Sequence, residues 1–464
     1  MACMVCGSGT GSCSISALKP GFFSESQLSS ASELSMFTLN RDRAGIVVKL
    51  VPESIIYGRI TDENGDPVEG AFVRVRDWRI VDGRRRQEFV GGQSTDEDGR
   101  FRLFGLMPGA YYVVASAAAE RAAFSPGSSP REQGYAATYL PGVTQFTAAT
   151  PIKLAAGQKA QADFALSPHP TFQITGTISG YSGEKLNSVQ LTDPAGGESA
   201  LPVRFDPAAG TFVAKQVPPG SYRLEAVAAD RQGRTLFGEA TLNVAANMSG
   251  IMVPVAAGIS VPVIVQTEFG GSPPGDKRTP VAVHLLPAGI SGQNFFRPEV
   301  WSRPEGDKGS GGLVVPEVRP GKYYAEFNPN GDWYVQSAAS GSTDLFAEPL
   351  MVSSGVAPIQ VLLRNDGATL TGDVRSQGIV VPAAVLAVMQ DEPLRIPWVA
   401  RSNSQGEFHL DNLPPGEYVV LAFDNLGDLE YANRDALREY FSKGTHVTLG
   451  SKDAKTMNVE LIRR

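Results

Sequence analysis

Reactive side chains are few in this sequence, and their spacing argues against catalysis. The four histidines, His169, His284, His409 and His446, are scattered through strand-like or linker contexts. None stands in His-Glu-x-x-His and none is followed three residues later by glutamate, so no two imidazoles are spaced to share a metal on one helix face. No Gly-x-Ser-x-Gly elbow, phosphate-cradling Walker loop or complete Gly-x-Gly-x-x-Gly fingerprint occurs. Hydrolysis or phosphoryl transfer would need some other constellation, and the chain is read as non-catalytic.

Two metal sites are conceivable on residue type. Cys3, Cys6 and Cys13 offer three thiolates, but a closed tetrahedral zinc site takes four ligands, and the nearest histidine, His169, is far along the chain. Asp62-Glu-Asn64-Gly-Asp66 resembles the start of a calcium loop, and Asp96 and Asp98 could add oxygens to a cage. Position six of the first run, however, is Pro67. Acids and Asn are also the residues that β-turns prefer. No metal or other cofactor is expected, and calcium at the acidic turns is left open.

Aromatic rings are the more promising group. Sugars stack on exposed Trp and Tyr while neighbouring polar groups bond their hydroxyls. Trp78, flanked by Asp77 and Arg79, and Tyr135 and Tyr139, beside Leu140-Pro141-Gly142, are the candidate glycan contacts. Trp301, Trp333, Trp398 and Tyr431 are further candidates, against the alternative that these rings pack in cores or cover strand edges. A sugar platform needs two or three coplanar rings on one accessible face.

The elements that must position these residues are strands. Among 464 residues, 50 glycines and 33 prolines leave little room for long helices, while 42% hydrophobic content suits folded protein. The length implies several cores. A net charge of −7 makes nucleic acid and anionic membrane unsuitable partners. No stretch reaches the roughly 18 apolar residues that span a bilayer.

A repeat organises the chain. Gly99-x-Phe101 is followed by Leu106, Pro108, Gly109 and Tyr111. The same register recurs from Gly210 and Phe212 to Pro219, Gly220 and Tyr222, and from Gly311 and Leu313 to Pro320, Gly321 and Tyr323. It recurs again from Gly406 and Phe408 to Pro415, Gly416 and Tyr418. This reads as strand, tight turn and strand, with Pro-Gly suited to a type II turn whose glycine takes the left-handed conformation. The tyrosine ring packs inward while its hydroxyl reaches backbone, as in a tyrosine corner. Opening strands precede each copy at Ile55–Ile60, Phe172–Ile178, Ile259–Val265 and Leu370–Val374. Alternating closing strands lie at Gly45–Leu50, Ala162–Leu166, Gly250–Val255, Pro358–Leu363 and Met457–Leu461.

A degenerate fifth copy runs from Gly11 and Cys13 to Pro20, Gly21 and Phe23. The expected division is therefore 1–51, the C-terminal half of a truncated module, then 52–168, 169–256, 257–365 and 366–464. Each full module is roughly a hundred residues, the size of an immunoglobulin-like sandwich. The fold class is all-β: tandem Ig-like or transthyretin-like β-sandwiches, with one short helix from the capping Asn433 to Gly444 covering one end of the last. Arg84-Arg85-Arg86 is expected at a solvated hairpin tip. The chain shows no charged and apolar leader segment, and it reads as a fragment or as starting downstream of its true origin.

Ile56-Tyr-Gly58-Arg-Ile60 through Gly65-Asp-Pro67-Val-Glu-Gly70-Ala71, with Ser94–Phe101 and Leu106–Tyr111, resembles the carboxypeptidase regulatory-like domain. The resemblance implies a transthyretin-like sandwich, often grouped with carbohydrate-binding-like folds, that accompanies metallocarboxypeptidases, surface proteins and outer-membrane receptors without catalysing anything. The modules opening at Phe172 and Leu370 keep the skeleton but lack the Gly-x-Pro-Val-x-Gly-Ala turn. The one opening at Ile259 departs most, with Pro262 near the usual glycine. The whole arrangement is similar to multi-module exported proteins of environmental bacteria. Lys–Asn isopeptide crosslinks of a related fold are disfavoured, because Arg59, Thr177 and Asp373 stand where the lysine belongs. The expected function is that of an extracytoplasmic structural or interaction protein with a protein or glycan partner. Carbohydrate binding is the alternative, and an accessory part of a larger hydrolase or outer-membrane receptor the second.

Overall fold

A computed structural model describes residues 2–6, 12–24, 36–38, 49–81, 83–116, 133–180, 185–192, 201–268, 281–288, 300–304 and 312–464. The protein is all-β, with one α-helix among the described residues. Its hydrophobic cores are each drawn from one stretch of chain: Ile56 to Leu166, Ile174 to Val255, Val261 to Leu363, and Ala368 to Val459. These four units are numbered first to fourth in chain order.

Each unit is built around its opening strand: Ser54–Thr61, Phe172–Ser179, Ile259–Glu268 or Ala368–Ser376. On one side it pairs antiparallel with the strand bearing the Gly-x-Phe half of the repeat. On the other it pairs parallel with the strand that closes the unit. Parallel neighbours need a long crossover, so the closing strand comes last in each unit. Alternation places every second side chain inside; Phe172–Ser179 and Ala368–Ser376 bury Ile174, Gly176 and Ile178, and Leu370, Gly372 and Val374.

The repeat's turn differs from expectation in one respect. Its left-handed residue stands three places before the proline: Gly105 (φ 70), Gln216 (φ 57), Glu317 (φ 52) and Asn412 (φ 56). The glycine of Pro-Gly does not take this role; Gly220 and Gly321 lie at φ 158 and 151, far from the left-handed value near +57°. The cause is a β-bulge. Ser54 and Ile56 face Leu106 and Leu103, two steps against three, and the same slip occurs at Val217/Ala214, Val318/Val315 and Leu413/Leu410. The tyrosine corner is present: Tyr111 donates to the Met107 carbonyl at 2.7 Å, and Tyr418 to that of Pro414 at 2.6 Å.

The helix is shorter than its sequence signals suggest. Asn433 caps it by accepting from the Asp435 N–H, it runs Arg434–Arg438, and a 3₁₀ turn carries the chain to Gly444. It covers a sheet face instead of one end of the sandwich, because Leu437, Tyr440 and Phe441 pack on Leu386, Val419, Leu421 and Phe423.

At the N-terminus, Ala2–Cys6 pairs antiparallel with Ser12–Ala17, which pairs with Met36–Thr38. The cysteine side chains lie outside the described residues, as does most of the expected closing strand at 45–50. Phe22–Ser24 pairs with Leu50–Pro52, leading directly into the first unit.

Candidate functional site

Two of the sequence candidates, Trp78 and Tyr139, meet on the outer face of the first unit. Phe72–Val81 and Gly109–Ser116 pair antiparallel with Tyr112 across from Arg76. Val73, Val75, Tyr111 and Val113 point into the core, so alternation puts Trp78 and Tyr112 on the other face. A short 3₁₀ turn, Phe146–Ala148, lays Phe146 over them. Its ring centroid lies 4.8 Å from Tyr112, 5.6 Å from Tyr139 and 6.3 Å from Trp78.

These rings do not make a flat platform. The planes of Tyr112, Tyr139 and Trp78 make angles of 55°, 63° and 51° with that of Phe146, the tilted geometry of packed rings. Tyr139, expected to be exposed, is 1% exposed because its strand pairs with Gly109–Ser116 beneath the connection. Trp78 is half-buried, and the Arg85 guanidinium sits 4.7 Å from its ring centroid, an arrangement stabilised as a cation–π pair. Tyr135 is not part of this cluster. Its strand, Gln133–Tyr135, pairs with Pro168–Pro170, and its hydroxyl donates to Glu63 Oε2 at 3.0 Å. Desolvation and that carboxylate raise the Tyr135 pKa.

Of the other aromatic candidates, Trp333 is buried in the third core. Trp398 packs edge-on to Tyr418 at 5.9 Å, and Tyr431 packs beside the helix. The Trp301 side chain lies outside what is described.

The acidic turns have a shared structural use. Asp62 Oδ1 accepts from the N–H groups of Asn64 and Asp66, and Asp96 Oδ1 from those of Asp98 and Arg100. Asp230 and Asn403 repeat the pattern toward Gln232 and Arg234, and Gln405 and Glu407. In all four a left-handed glycine follows at the fourth position: Gly65, Gly99, Gly233 and Gly406. Asn serves in one of them, so an amide oxygen is sufficient and a carboxylate charge is not required. No group of three metal-ligating side chains occurs among the described residues.

The basic hairpin tip is docked, contrary to expectation. Arg84 is part-buried, 3.0 Å from Glu326 Oε1 in the third unit, with its guanidinium 4.9 Å from the Tyr324 ring centroid. His284 Nδ1 lies 3.6 Å from the other oxygen of Glu326. Although desolvation would raise the Glu326 pKa, His284 and Arg84 together hold it below the ordinary carboxylate value. The Gly83 carbonyl also accepts from Ala432 N–H in the fourth unit. Sequence reasoning missed Phe146, Tyr112 and Glu326. The Tyr111-Tyr112 doublet held a usable signal, since alternation sends one ring inward and the other outward.

Side chains also lock consecutive units. Arg319 Nη1 meets Glu225 Oε1 at 3.0 Å, with both side chains at most 5% exposed. Asp366 accepts from Arg364, from Tyr334 Oη at 2.8 Å and from Ser451, while its carbonyl accepts from Lys452 N–H.

Comparison with known proteins places residues 55–167 in a match to the model of the carboxypeptidase regulatory-like domain. A search of the curated proteins gave no match. Among solved structures, a Streptococcal ancillary pilin is 11% identical, covering 62% of this chain and 98% of its own, with a TM-score of 0.19. BcpA, the major pilin subunit of Bacillus cereus, is 10% identical over 88% of this chain and 99% of its own, at 0.16. Hydroxyquinol 1,2-dioxygenase from Pseudomonas putida DLL-E4 is 18% identical over 25% and 56%, at 0.15. Likenesses at such scores carry no argument about this chain. The family match covers the unit whose turn and strand residues carry the sequence resemblance: residues 55–167 match the carboxypeptidase regulatory-like domain.

Proposed function

We propose that this chain is a non-catalytic structural and interaction protein working outside the cytoplasm, in which sandwich units are held in fixed relation to present their outer surfaces. The observation that carries the reading is the set of part-buried and buried ion pairs between units, Arg319–Glu225 and Arg84–Glu326, together with the Asp366 carboxylate bonded by Tyr334 of the third unit and Ser451 of the fourth. Buried pairs add little net stability but penalise every arrangement that separates them, so they specify geometry. The residues that recur in the repeats support the same reading. The Asp and Asn of the turns, the tyrosine hydroxyls and the bulge residues are engaged in folding each unit. Among the described residues no helix is long and apolar enough to cross a membrane. Glycan stacking has weaker support, because Trp78, Tyr112 and Tyr139 each lie tilted to the Phe146 ring packed on them.

Small-angle scattering of the purified chain tests the proposal. A single rigid particle is expected, with a profile that Glu225→Ala combined with Asp366→Ala broadens into that of a flexible ensemble. A flexible profile in the unaltered chain would overturn it.

A further inference from the structure

The hairpin of Phe72–Val81 and Arg84–Ser94 is longer than the sheet that carries it. Its neighbour on that sheet, Gly109–Ser116, pairs with it only as far as Asp77. Beyond that point four pairs, from Trp78–Gln87 to Val81–Arg84, continue without a third strand among the described residues. They form an arm roughly 13 Å long. The other units have no such overhang. Their corresponding pairs, at Gln190–Leu191, His284–Leu285 and Ala384–Ala387, all lie within the span of the strand on the other side.

A two-stranded ribbon is marginal in water on its own, so an arm of this kind needs something to rest on. Its tip has a seat made by two other units. Gly83 is buried there, and its carbonyl accepts from Ala432 N–H of the fourth unit at 3.0 Å. The fit admits only glycine: φ is 73, and a Cβ would stand 2.5 Å from the Tyr431 ring and 2.7 Å from the Ala432 nitrogen. One residue later, Arg84 turns to the third unit, pairing with Glu326 and lying over Tyr324. The two sets of contacts are chemically independent, one of shape and main chain, the other of charge. Both reach past the second unit in chain order.

We propose that the arm is a clasp: a reversible contact that ties the first unit to the third and fourth together and opens before any unit unfolds. A few contacts are enough to close it, because chain connectivity keeps the arm near its seat at high effective concentration. The same small number makes it the junction of lowest local stability, since its release leaves all four hydrophobic cores intact. This deepens the reading of units held in fixed relation and rests on it. Protection of the Ala432 amide reports the clasp alone, whereas scattering reports every boundary, so the two can fail separately.

Hydrogen exchange of the full chain, read at Ala432, is the test. In the unaltered protein this amide should be protected, yet exchange sooner than the amides of Gly416–Phe423 in the core of the same unit. Gly83→Val, which cannot enter the seat, should speed its exchange by roughly tenfold or more. Arg84→Ala is the sharper variant, because Arg84 bonds the third unit while Ala432 belongs to the fourth. Faster exchange at Ala432 in Arg84→Ala, with Gly416–Phe423 unchanged, is expected only if the arm leaves as one piece. An Ala432 amide indifferent to Arg84→Ala, unprotected in the unaltered chain, or exchanging no sooner than the core would overturn the proposal. Protection that rises with protein concentration would overturn it in favour of arms exchanged between two copies.

Discussion

Gly372 faces Phe408 directly across the antiparallel ladder of the fourth unit, and a Cβ on Gly372 would overlap the carbonyl oxygen of Met457 on the closing strand. Gly176 faces Phe212 and Gly58 faces Phe101 in the same way, with Ile251 and Ala162 supplying the carbonyl. Glycine lets the closing backbone settle against the opening strand, and the ring opposite fills the space beside it. The third unit solves the problem differently: Val263 faces Leu313 and starts a regular parallel ladder with Ile359. The departure that Pro262 signals in the sequence is thus centred one residue later.

Gly372→Ala should therefore destabilise the fourth unit far beyond the usual cost of a strand substitution, by about 2–4 kcal/mol, because the obstacle is backbone. Hydrogen exchange in Ala368–Ser376 would read this locally. Gly91→Ala, beside a bulge in its own ladder where a Cβ would meet open space, is the control and should be near neutral.

The bulge makes a second prediction. Gln216 holds φ 57 where Gly105 holds φ 70 in the first unit, and a side chain in that conformation costs roughly 1 kcal/mol. Gln216→Gly should raise the stability of the second unit by up to that amount, and Gly105→Ala should lower that of the first by at least as much. Asn412 has the side chain best suited to the conformation, so Asn412→Gly should change little. Urea unfolding of the full chain checks all three.

Strands and the tyrosine corner were legible because they rest on local rules: alternation, glycine in turns, and a ring with a polar end. The bulge was not. It arises from a slip between strands some fifty residues apart in sequence, as between Ile56 and Leu103. The candidate site was read with less success for the same reason. Tyr139 looked exposed because its flanks are a loop, and only the pairing of Thr138–Tyr139 with Gly109–Ser116 buries it. Arg84 looked solvated because its partner, Glu326, lies two units away.

The acidic turns predict a metal response of nothing. Since Asp62, Asp96 and Asp230 spend an oxygen on two N–H groups each, and Asn403 does the same work, neither calcium nor EDTA should move the melting temperature. Asp96→Asn should be tolerated, and Asp96→Ala should cost about 1 kcal/mol through the lost turn bonds. A calcium-dependent rise in melting temperature abolished by Asp96→Asn would contradict this assignment.

Asp366 makes the boundary between the third and fourth units acid-sensitive. Burial alone would raise its pKa, but bonds from Arg364, Ser451 and Tyr334 outweigh that and hold the carboxyl well below the ordinary value near 3.9. The unfolded chain therefore takes up this proton first as pH falls. The stabilisation is complete above about pH 4 and is lost progressively below it, toward the depressed folded-state pKa. Asp366→Asn should remove that part of the acid dependence and destabilise the boundary at neutral pH, because the charge that Arg364, Tyr334 and Ser451 bond is lost. Hydrogen exchange at Lys452, whose N–H is held by the Asp366 carbonyl, would follow both effects at the boundary itself. Equal acid dependence in the two proteins would show that the carboxyl does not govern this junction.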